Sequence, residues 1–354
     1  MINKIIQNVY KDIVKCKEKY VKYSRKKNWI NQCKKNTKNI KRINNKQIKE
    51  INYFYKPYTK VNTIFHDFYY QKNEKFSKKY IPDDIYYTII DPFYNNWDEA
   101  EYIDNKCYYD RIFPNTEQPK TIVKRLNNIW YDDDNNIIDF KKAKEILKNR
   151  ESYFMKKATE SEGGHGVYYL TNISEFEDTI AQIENDCIIQ VPLKQSEILC
   201  KLNPSSVNTI RVLTLLSENG VKIYSTIIRM GINGAKVDNA SSGGITCGID
   251  KEGRLKEVAY ASNGDKYYYH PTTKIKFNSI VIPNYDLILE KIKKLATTIP
   301  HFRLVSWDIA LNEKNEPVLI EANLRYGELD FHQLNNGPVF GEDTEKILNE
   351  VYEK

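Results

Sequence analysis

Residues 304–323 read LVSWDIALNEKNEPVLIEAN, two short apolar strands separated by a polar turn. A pair of apolar segments around such a turn is typical of an antiparallel hairpin. We expect Leu311 to face Val318 across the turn. The same register places the carboxylate of Asp308 directly opposite that of Glu321.

These facing carboxylates form the first candidate site. Two like charges opposite each other across a strand pair repel unless a cation lies between them. Asn323 is two residues beyond Glu321 and therefore points to the same face of the strand. Because Mg²⁺ prefers oxygen ligands, the pattern predicts a magnesium site of Asp308, Glu321 and Asn323. The alternative is an exposed sheet face with solvated acids, and the apolar neighbours favour an interior position.

The segments upstream of the hairpin predict a mixture of antiparallel strands and helices. Strands are predicted at Tyr153–Lys157, Val167–Leu170, Cys187–Val191, Thr209–Leu216 and Val221–Met230. Helices are predicted at Ile138–Asn149, Ser174–Glu184 and Tyr285–Thr297. Because most of these strands are joined by tight turns, the pattern favours the α+β class over a doubly wound parallel sheet.

Composition excludes several classes of protein. The chain has 354 residues, 41% of them hydrophobic and 29% charged, which suits a folded chain and neither a disordered nor a membrane-spanning one. Its six cysteines show no zinc-ligand spacing. Since the N-terminus also lacks the pattern of a signal peptide, we expect reduced thiols and a cytoplasmic protein.

The N-terminus is strongly basic, with 18 Lys and Arg against three acidic residues in positions 1–60. Apolar residues recur there every three or four positions, which predicts an amphipathic helix. They are Ile2, Ile6, Val9, Ile13, Cys16, Tyr20 and Tyr23. Such a helix docks on the chain's own body, binds a polyanion or lies on an anionic membrane. We favour docking; membrane contact would give a peripheral location at the inner membrane face.

Two further motifs carry charge that suits phosphate. Residues 156–167 read KKATESEGGHGV, in which lysines precede a glycine loop. Glycines let backbone amides approach phosphate oxygens, although the same pattern occurs in ordinary turns. Arg211 and Arg229 fall on neighbouring predicted strands, where two guanidinium groups need a shared anion or a structural salt bridge. A polar glycine turn at residues 237–244 follows.

Taken in order, these motifs resemble the ATP-grasp superfamily, and specifically its sugar-transfer-associated branch found with bacterial polysaccharide genes. The resemblance extends from about Tyr80 to Phe340 and leaves the basic arm unmatched. It implies two α+β subdomains that clasp ATP. The implied division is a basic helical arm at 1–79, a preceding region at 80–150 and an ATP-grasp domain at 151–354.

The resemblance also implies roles for individual residues. The phosphate lysine is Lys156, with Lys157 as the alternative, and the mobile loop contains Gly163, Gly164 and Gly166. Further nucleotide contacts fall to Gln190, Val191, Leu193, Arg111 and Asp238. Catalytic roles fall to Asn208, Arg211 and Arg229. The implied magnesium ligands are Asp308, Glu321 and Asn323, in agreement with the hairpin register. His270-Pro271 matches a family signature to which no role is assigned.

The activity implied is that of an ATP- and Mg²⁺-dependent carboxylate–amine ligase that works through an acyl phosphate. The implied substrates are an amino acid or other small acid and an amine such as an amino sugar, in polysaccharide or glycoconjugate biosynthesis. The alternatives are a non-catalytic nucleotide-binding scaffold and a protein that binds a polyanion or membrane surface. Sequence-specific nucleic-acid binding is not expected, because no reading motif accompanies the basic arm.

Overall fold

The computed structural model describes residues 17, 21, 23–37, 42–159, 166–183, 186–235, 238 and 243–353. The chain forms two compact units, one of residues 1–93 and 337–354 and the other of residues 94–336. The domain limits expected at residues 79 and 150 fall inside these units and stay a prediction. No described helix is both long and apolar enough to cross a lipid bilayer.

The described helices are mostly short. From residue 45 onward the α-helices are, in chain order, α1 (Asn45–Tyr55), α2 (Ile64–Asn73), α3 (Asp83–Ile85), α4 (Asp91–Tyr94), α5 (Trp97–Asp104), α6 (Tyr109–Ile112), α7 (Phe140–Lys148), α8 (Ile173–Ile180), α9 (Glu197–Leu202), α10 (Tyr285–Thr298), α11 (Leu329–Asn336) and α12 (Thr344–Tyr352). Polar side chains begin several of them. Asn44 accepts a hydrogen bond from the Gln47 amide at 3.0 Å and donates its own amide to the Gln47 side chain at 2.8 Å, which caps α1.

The described part of the basic N-terminal segment contacts another element of the first unit, and docking of the predicted stripe itself stays a prediction. Residues 23–36 are helical. Trp29 stacks on Tyr87 with ring centroids 4.9 Å apart. Tyr23, expected on the buried stripe, is 65% exposed, so that expectation is wrong for this residue. The other stripe residues lie outside the described ones.

The second unit contains two antiparallel sheets, with strand orders β3-β2-β1-β6-β4-β5 and β11-β10-β9-β8-β7-β12-β13. The strands are β1 (Thr121–Leu126), β2 (Ile129–Asp132), β3 (Ile137–Ile138), β4 (Tyr153–Lys157), β5 (Val167–Leu170), β6 (Cys187–Gln190), β7 (Thr209–Ser217), β8 (Gly220–Met230), β9 (Ile245–Ile249), β10 (Leu255–Ala261), β11 (Lys266–Tyr267), β12 (Leu304–Leu311) and β13 (Pro317–Asn323). Helices pack on these sheets without linking parallel strands. The α+β prediction is therefore confirmed.

Helices α10 and α11 cover opposite faces of the larger sheet. Thr226 on β8 hydrogen-bonds Tyr285 at the start of α10, whereas the neighbouring Ser225 hydrogen-bonds His332 on α11. Successive residues of a strand point to opposite faces. The face toward α10 carries the apolar core around the fully buried Trp307. The face toward α11 carries the charged cluster described below.

The hairpin β12–β13 has a different register near its turn from the one expected. Leu311 pairs with Pro317 rather than with Val318, so the expected pairing is wrong by one residue. A bulge directly after Asp308 shifts the register back. Asp308 consequently faces Glu321, as predicted.

Candidate active site

Asp308 is a buried carboxylate held by two arginines. Arg211 lies opposite it on β7 and donates from Nε to Oδ1 and from Nη2 to Oδ2, both at 2.7 Å. Arg229 on β8 donates from Nη1 to Oδ2 at 3.0 Å. Burial alone would raise the pKa of Asp308, but the two guanidinium groups lower it below its ordinary value. The carboxylate is therefore ionised at neutral pH.

Each arginine also lies near a second carboxylate. Arg211 Nη1 donates to Glu328, and Arg229 Nη2 lies 3.9 Å from Asp238 Oδ1. Asp238 in turn accepts hydrogen bonds from the amide and the hydroxyl of Thr209. The arginine pair is thus neutralised by the chain's own carboxylates. The sequence left two alternatives for this pair, a shared bound anion and a structural salt bridge. In the structure the two arginines form salt bridges.

Glu321 faces Asp308 from β13 and pairs with a lysine that sequence reasoning did not select. Lys106 Nζ lies 2.6 Å from Glu321 Oε1. Lys106 opens a 3-10 turn that is fixed in place because its amide donates to Ala158 O at 3.0 Å, just beyond β4. Arg111, selected from the resemblance, is exposed on α6. The cation beside Glu321 is Lys106.

Lys156 on β4 lies near the same pair. Burial and then repulsion by the Lys106 ammonium lower the pKa of Lys156 to about 8, while Glu321 acts in the opposite direction. Contact of Lys156, or alternatively of Lys157, with a phosphate stays a prediction.

Lys157 instead packs against Gly166. The Lys157 amide donates to Gly166 O at 2.8 Å. Gly166 has a φ of +78°, and a Cβ there would lie 2.7 Å from Cγ and Cδ of Lys157. Both the backbone conformation and the available space therefore require glycine. Gly163 and Gly164, the other predicted loop glycines, lie outside the described residues.

We expect Gly166→Ala to lower the free energy of unfolding by about 2–4 kcal/mol, because left-handed backbone strain adds to the crowding of Lys157. Gly220→Ala is the matched control. Gly220 has a φ of +92° with nothing within 4 Å of an added Cβ, so only the strain of about 1–2 kcal/mol applies. Urea unfolding measures both. Equal losses in the two variants would show that the contact with Lys157 contributes nothing.

The predicted nucleotide hinge follows β6. Gln190 is buried and its Nε2 donates to Pro119 O at 3.1 Å. The Val191 amide donates to Lys120 O at 2.9 Å, which ties the hinge to the segment before β1. Since this amide is engaged, an adenine contact here would fall to the hinge carbonyls and to Leu193.

Asn208, predicted to be catalytic, is buried in the loop before β7. Its Nδ2 lies 3.0 Å from Gln195 Oε1, Leu199 O and Asn203 O. These contacts fix the loop from which β7 and Arg211 begin. The geometry suits a positioning residue, and direct catalysis by Asn208 stays a prediction.

Asn323 completes the predicted magnesium set. Its Nδ2 donates to Ser306 O at 3.0 Å, and its side chain also hydrogen-bonds the Asp308 carboxylate. Among the described residues, no three His, Cys, Asp or Glu side chains converge as a metal-binding group. Two carboxylates and one amide still fit Mg²⁺, because this ion uses one or two carboxylates and completes its shell with water and phosphate oxygens.

Sequence reasoning missed several charged residues just beyond Asn323. Arg325 Nη2 donates to Asp104 Oδ2 at 2.8 Å, and burial raises the pKa of Asp104 to about 6 although Arg325 opposes the rise. Burial and then Glu328 raise the pKa of Asp330 to about 7. The available signal was position, since Arg325 and Glu328 lie between β13 and α11 and Asp330 lies in the first turn of α11.

Comparisons with known proteins identify the family. A family model described as sugar-transfer associated ATP-grasp matches residues 88–349, more than two thirds of the chain. No curated protein matches significantly.

Among solved structures, the chain is similar to D-alanyl-alanine synthetase A from Vibrio cholerae O1 biovar eltor str. N16961, at 13% identity and a TM-score of 0.43, over 72% of this chain and 65% of that one. It is also similar to an L-amino acid ligase from Bacillus licheniformis, at 12% identity and a TM-score of 0.39, over 71% of this chain and 48% of that one.

The chain thus spans less than two thirds of the length of either structure. The assignment rests on the family model, whose match includes both sheets and every described residue of the charged cluster. The chain belongs to the sugar-transfer associated ATP-grasp family.

Proposed function

We propose that this chain is an ATP- and Mg²⁺-dependent carboxylate–amine ligase. The observation that supports the proposal most is the facing pair of Asp308 and Glu321, enclosed by the cationic groups of Arg211, Arg229 and Lys106. Both signs of charge at one place suit a triphosphate bound together with a metal ion. Membership of an ATP-grasp family supports ATP as the nucleotide.

Nucleotide binding would exchange charge partners inside the cluster. Arg211 and Arg229 would turn from Asp308 to phosphate oxygens, and Lys106 would turn from Glu321. The two carboxylates and the Asn323 amide would then hold Mg²⁺, which when bound neutralises phosphate charge. Because Arg211 and Arg229 are buried, they would stabilise charge on the transferred phosphoryl group with little competition from water.

The proposed reaction has two steps. A carboxylate oxygen of the first substrate attacks the γ-phosphorus as its bond to the β–γ bridging oxygen breaks, which yields an acyl phosphate and ADP. The amine nitrogen of the second substrate then attacks the acyl carbon, phosphate leaves with the C–O electron pair, and the nitrogen loses a proton. Arg211 and Arg229 would stabilise both phosphorylated species, and the glycine loop would exclude water from the acyl phosphate.

We infer that the acid is an amino acid or another small carboxylate and that the amine is an amino sugar. The association of this family with sugar transfer supports this acceptor class. An ADP-release screen with Mg²⁺ across pairs of amino acids and amino sugars, with mass spectrometry of the product, tests the proposal. ADP release that requires both partners, together with an amide product, is the expected result.

A different result would support the main alternative. Magnesium-dependent ATP binding without ADP release for any acid and amine pair would favour a non-catalytic nucleotide-binding scaffold. Absence of any ATP binding would exclude both the ligase and the nucleotide-binding scaffold. Binding of a polyanion or membrane surface would then be the remaining function.

Nucleotide binding should depend on pH through Lys156. Its pKa of about 8 lies below the ordinary lysine value because burial and Lys106 disfavour the ammonium form. A bound triphosphate would favour that form and raise the pKa. Above pH ~8, binding should therefore take up a proton and weaken as pH rises. Calorimetry at pH ~9 in two buffers with different ionisation enthalpies measures this uptake.

Lys156→Arg is the control for this effect, because an arginine stays protonated throughout the range. The variant should lose the proton uptake at high pH while it still binds nucleotide. Uptake that is unchanged in Lys156→Arg would assign the titrating group elsewhere.

A further inference from the structure

A groove of about 620 Å³ lies beside the edge strand β11, and none of its lining residues belongs to the charged cluster of the candidate active site. Its volume is in the range of small-ligand sites. The lining includes three consecutive tyrosines, Tyr267, Tyr268 and Tyr269, and three lysines, Lys266, Lys274 and Lys276. The groove therefore combines aromatic surface with positive charge.

Part of the lining of the groove is a hairpin held by hydrogen bonds. Tyr269 pairs with Lys276, and the His270 amide donates to Ile275 O at 2.9 Å. The His270 ring is fully buried, with Nε2 3.0 Å from Gly231 O and Nδ1 3.3 Å from the Thr273 amide. His270 thus anchors this hairpin to the end of β8, which gives the His270-Pro271 motif a structural role. A surface fixed in this way binds a ligand at a small entropic cost.

The rings are presented to solvent. Tyr268 is 51% exposed and Tyr269 is 48% exposed, and the Lys276 ammonium lies 5.7 Å from the centroid of the Tyr269 ring. Tyrosine rings stack well against flat or C–H-rich faces, and their hydroxyls add hydrogen bonds. The lining contains no Leu, Ile, Val, Met or Phe side chain. A lipid tail or an apolar peptide therefore does not suit the groove.

The charge of the groove selects an anion. The lining contains three lysines and one acidic residue, Glu257. Burial is the main cause that lowers the pKa of His270. A nucleic-acid strand would need a row of cations along successive phosphates. Here the three lysines line a single groove. The ligand should be compact, polyhydroxylated and negatively charged.

We propose that the Tyr267–Tyr269 groove binds an acidic saccharide, with sugar rings stacked on Tyr268 and Tyr269 and the carboxylate or phosphate of the sugar at the lysines. Two sources share this chemistry, a nucleotide-linked acidic sugar and an acidic oligosaccharide. Calorimetry on the full chain with UDP-glucuronate and with trigalacturonate distinguishes them. Tighter binding of one probe identifies the source.

Matched probes test the two parts of the recognition. Maltotriose, a neutral trisaccharide, should bind at least about ten-fold more weakly than trigalacturonate, since it lacks the charge that the lysines select. The oligonucleotide dT6 and hexaglutamate are negatively charged but are not acidic saccharides. Both should also bind more weakly than trigalacturonate. Equal binding of maltotriose, or tighter binding of dT6 or hexaglutamate, would overturn the proposal.

Variants locate the binding. Tyr268→Ala and Lys276→Gln should each weaken trigalacturonate and UDP-glucuronate binding by about ten-fold or more. Both side chains are exposed, so the fold should persist, which circular dichroism checks. Tyr53→Ala, at an 80% exposed tyrosine of the other unit, and Lys251→Gln are controls that should bind as the parent chain does.

Unchanged binding in Tyr268→Ala and Lys276→Gln, or no binding of either acidic sugar by the parent chain, would overturn the proposal. Mg²⁺-dependent ATP turnover should be the same in Tyr268→Ala as in the parent chain. The groove and the proposed ligase activity can therefore fail independently.

Discussion

The Glu321→Gln variant is expected to lose Mg²⁺-dependent ATP turnover by about 10²–10³-fold while it unfolds close to the parent temperature. Glutamine preserves the volume of Glu321 and removes the charge that would hold the metal ion. The cost to the fold should be small, because the Glu321 side chain is 30% exposed and its ion pair with Lys106 is partly solvated. A coupled ADP assay and a thermal unfolding curve measure the two effects.

Glu313→Gln is the matched control for this variant. Glu313 is exposed in the turn of the same hairpin, so its substitution should change neither turnover nor stability. Parent-like turnover in Glu321→Gln would remove Glu321 from the metal site. A large drop in unfolding temperature would instead show that the charge of Glu321 is structural.

The Asp308→Ala variant is expected to lose about 3–5 kcal/mol of unfolding free energy in addition to ATP turnover. Its carboxylate accepts three hydrogen bonds from two buried guanidinium groups. Without it, both arginines would lose a buried carboxylate partner, while the contacts of Arg211 with Glu328 and of Arg229 with Asp238 would remain.

Urea unfolding at neutral pH measures the loss. Asp178→Ala, at an exposed position on α8, is the control and should change the unfolding free energy by less than about 0.5 kcal/mol. A loss of similar size in the two variants would mean that the arginines do not depend on Asp308 for their charge balance.

The parts of the site that were predictable from sequence are those set by strand pairing. The hairpin at residues 304–323 places Asp308 opposite Glu321 because pairing and alternation are local properties of two adjacent strands. The prediction reached the correct pair through an incorrect register at the turn. A bulge shifts the pairing by one residue, and nothing in the alternation of apolar residues reveals a bulge in advance.

The choice of cation beside Glu321 was not predictable in the same way. Lys106 and Arg111 are five residues apart in one segment, and either has the charge that the site needs. The choice depends on a contact between distant parts of the chain, because the turn that begins at Lys106 is anchored to Ala158. The partners of Arg211 likewise come from β12 and from the residues before α11, which no local pattern brings together.

The amphipathic helix shows the limit of periodicity. A three- and four-residue spacing identified a stripe that includes Tyr23, yet Tyr23 is exposed and Trp29 makes the stacking contact with Tyr87. Periodicity defines which residues share a face of a helix. It does not define which part of that face meets another element.

Calorimetric titration of the full chain with a non-hydrolysable ATP analogue, once with Mg²⁺ and once with EDTA, tests the central claim most directly. If Asp308, Glu321 and Asn323 hold a metal ion on the nucleotide phosphates, binding should be at least about ten-fold tighter with Mg²⁺, and Glu321→Gln should remove that difference. Equal affinity in Mg²⁺ and EDTA for the parent chain would contradict the account.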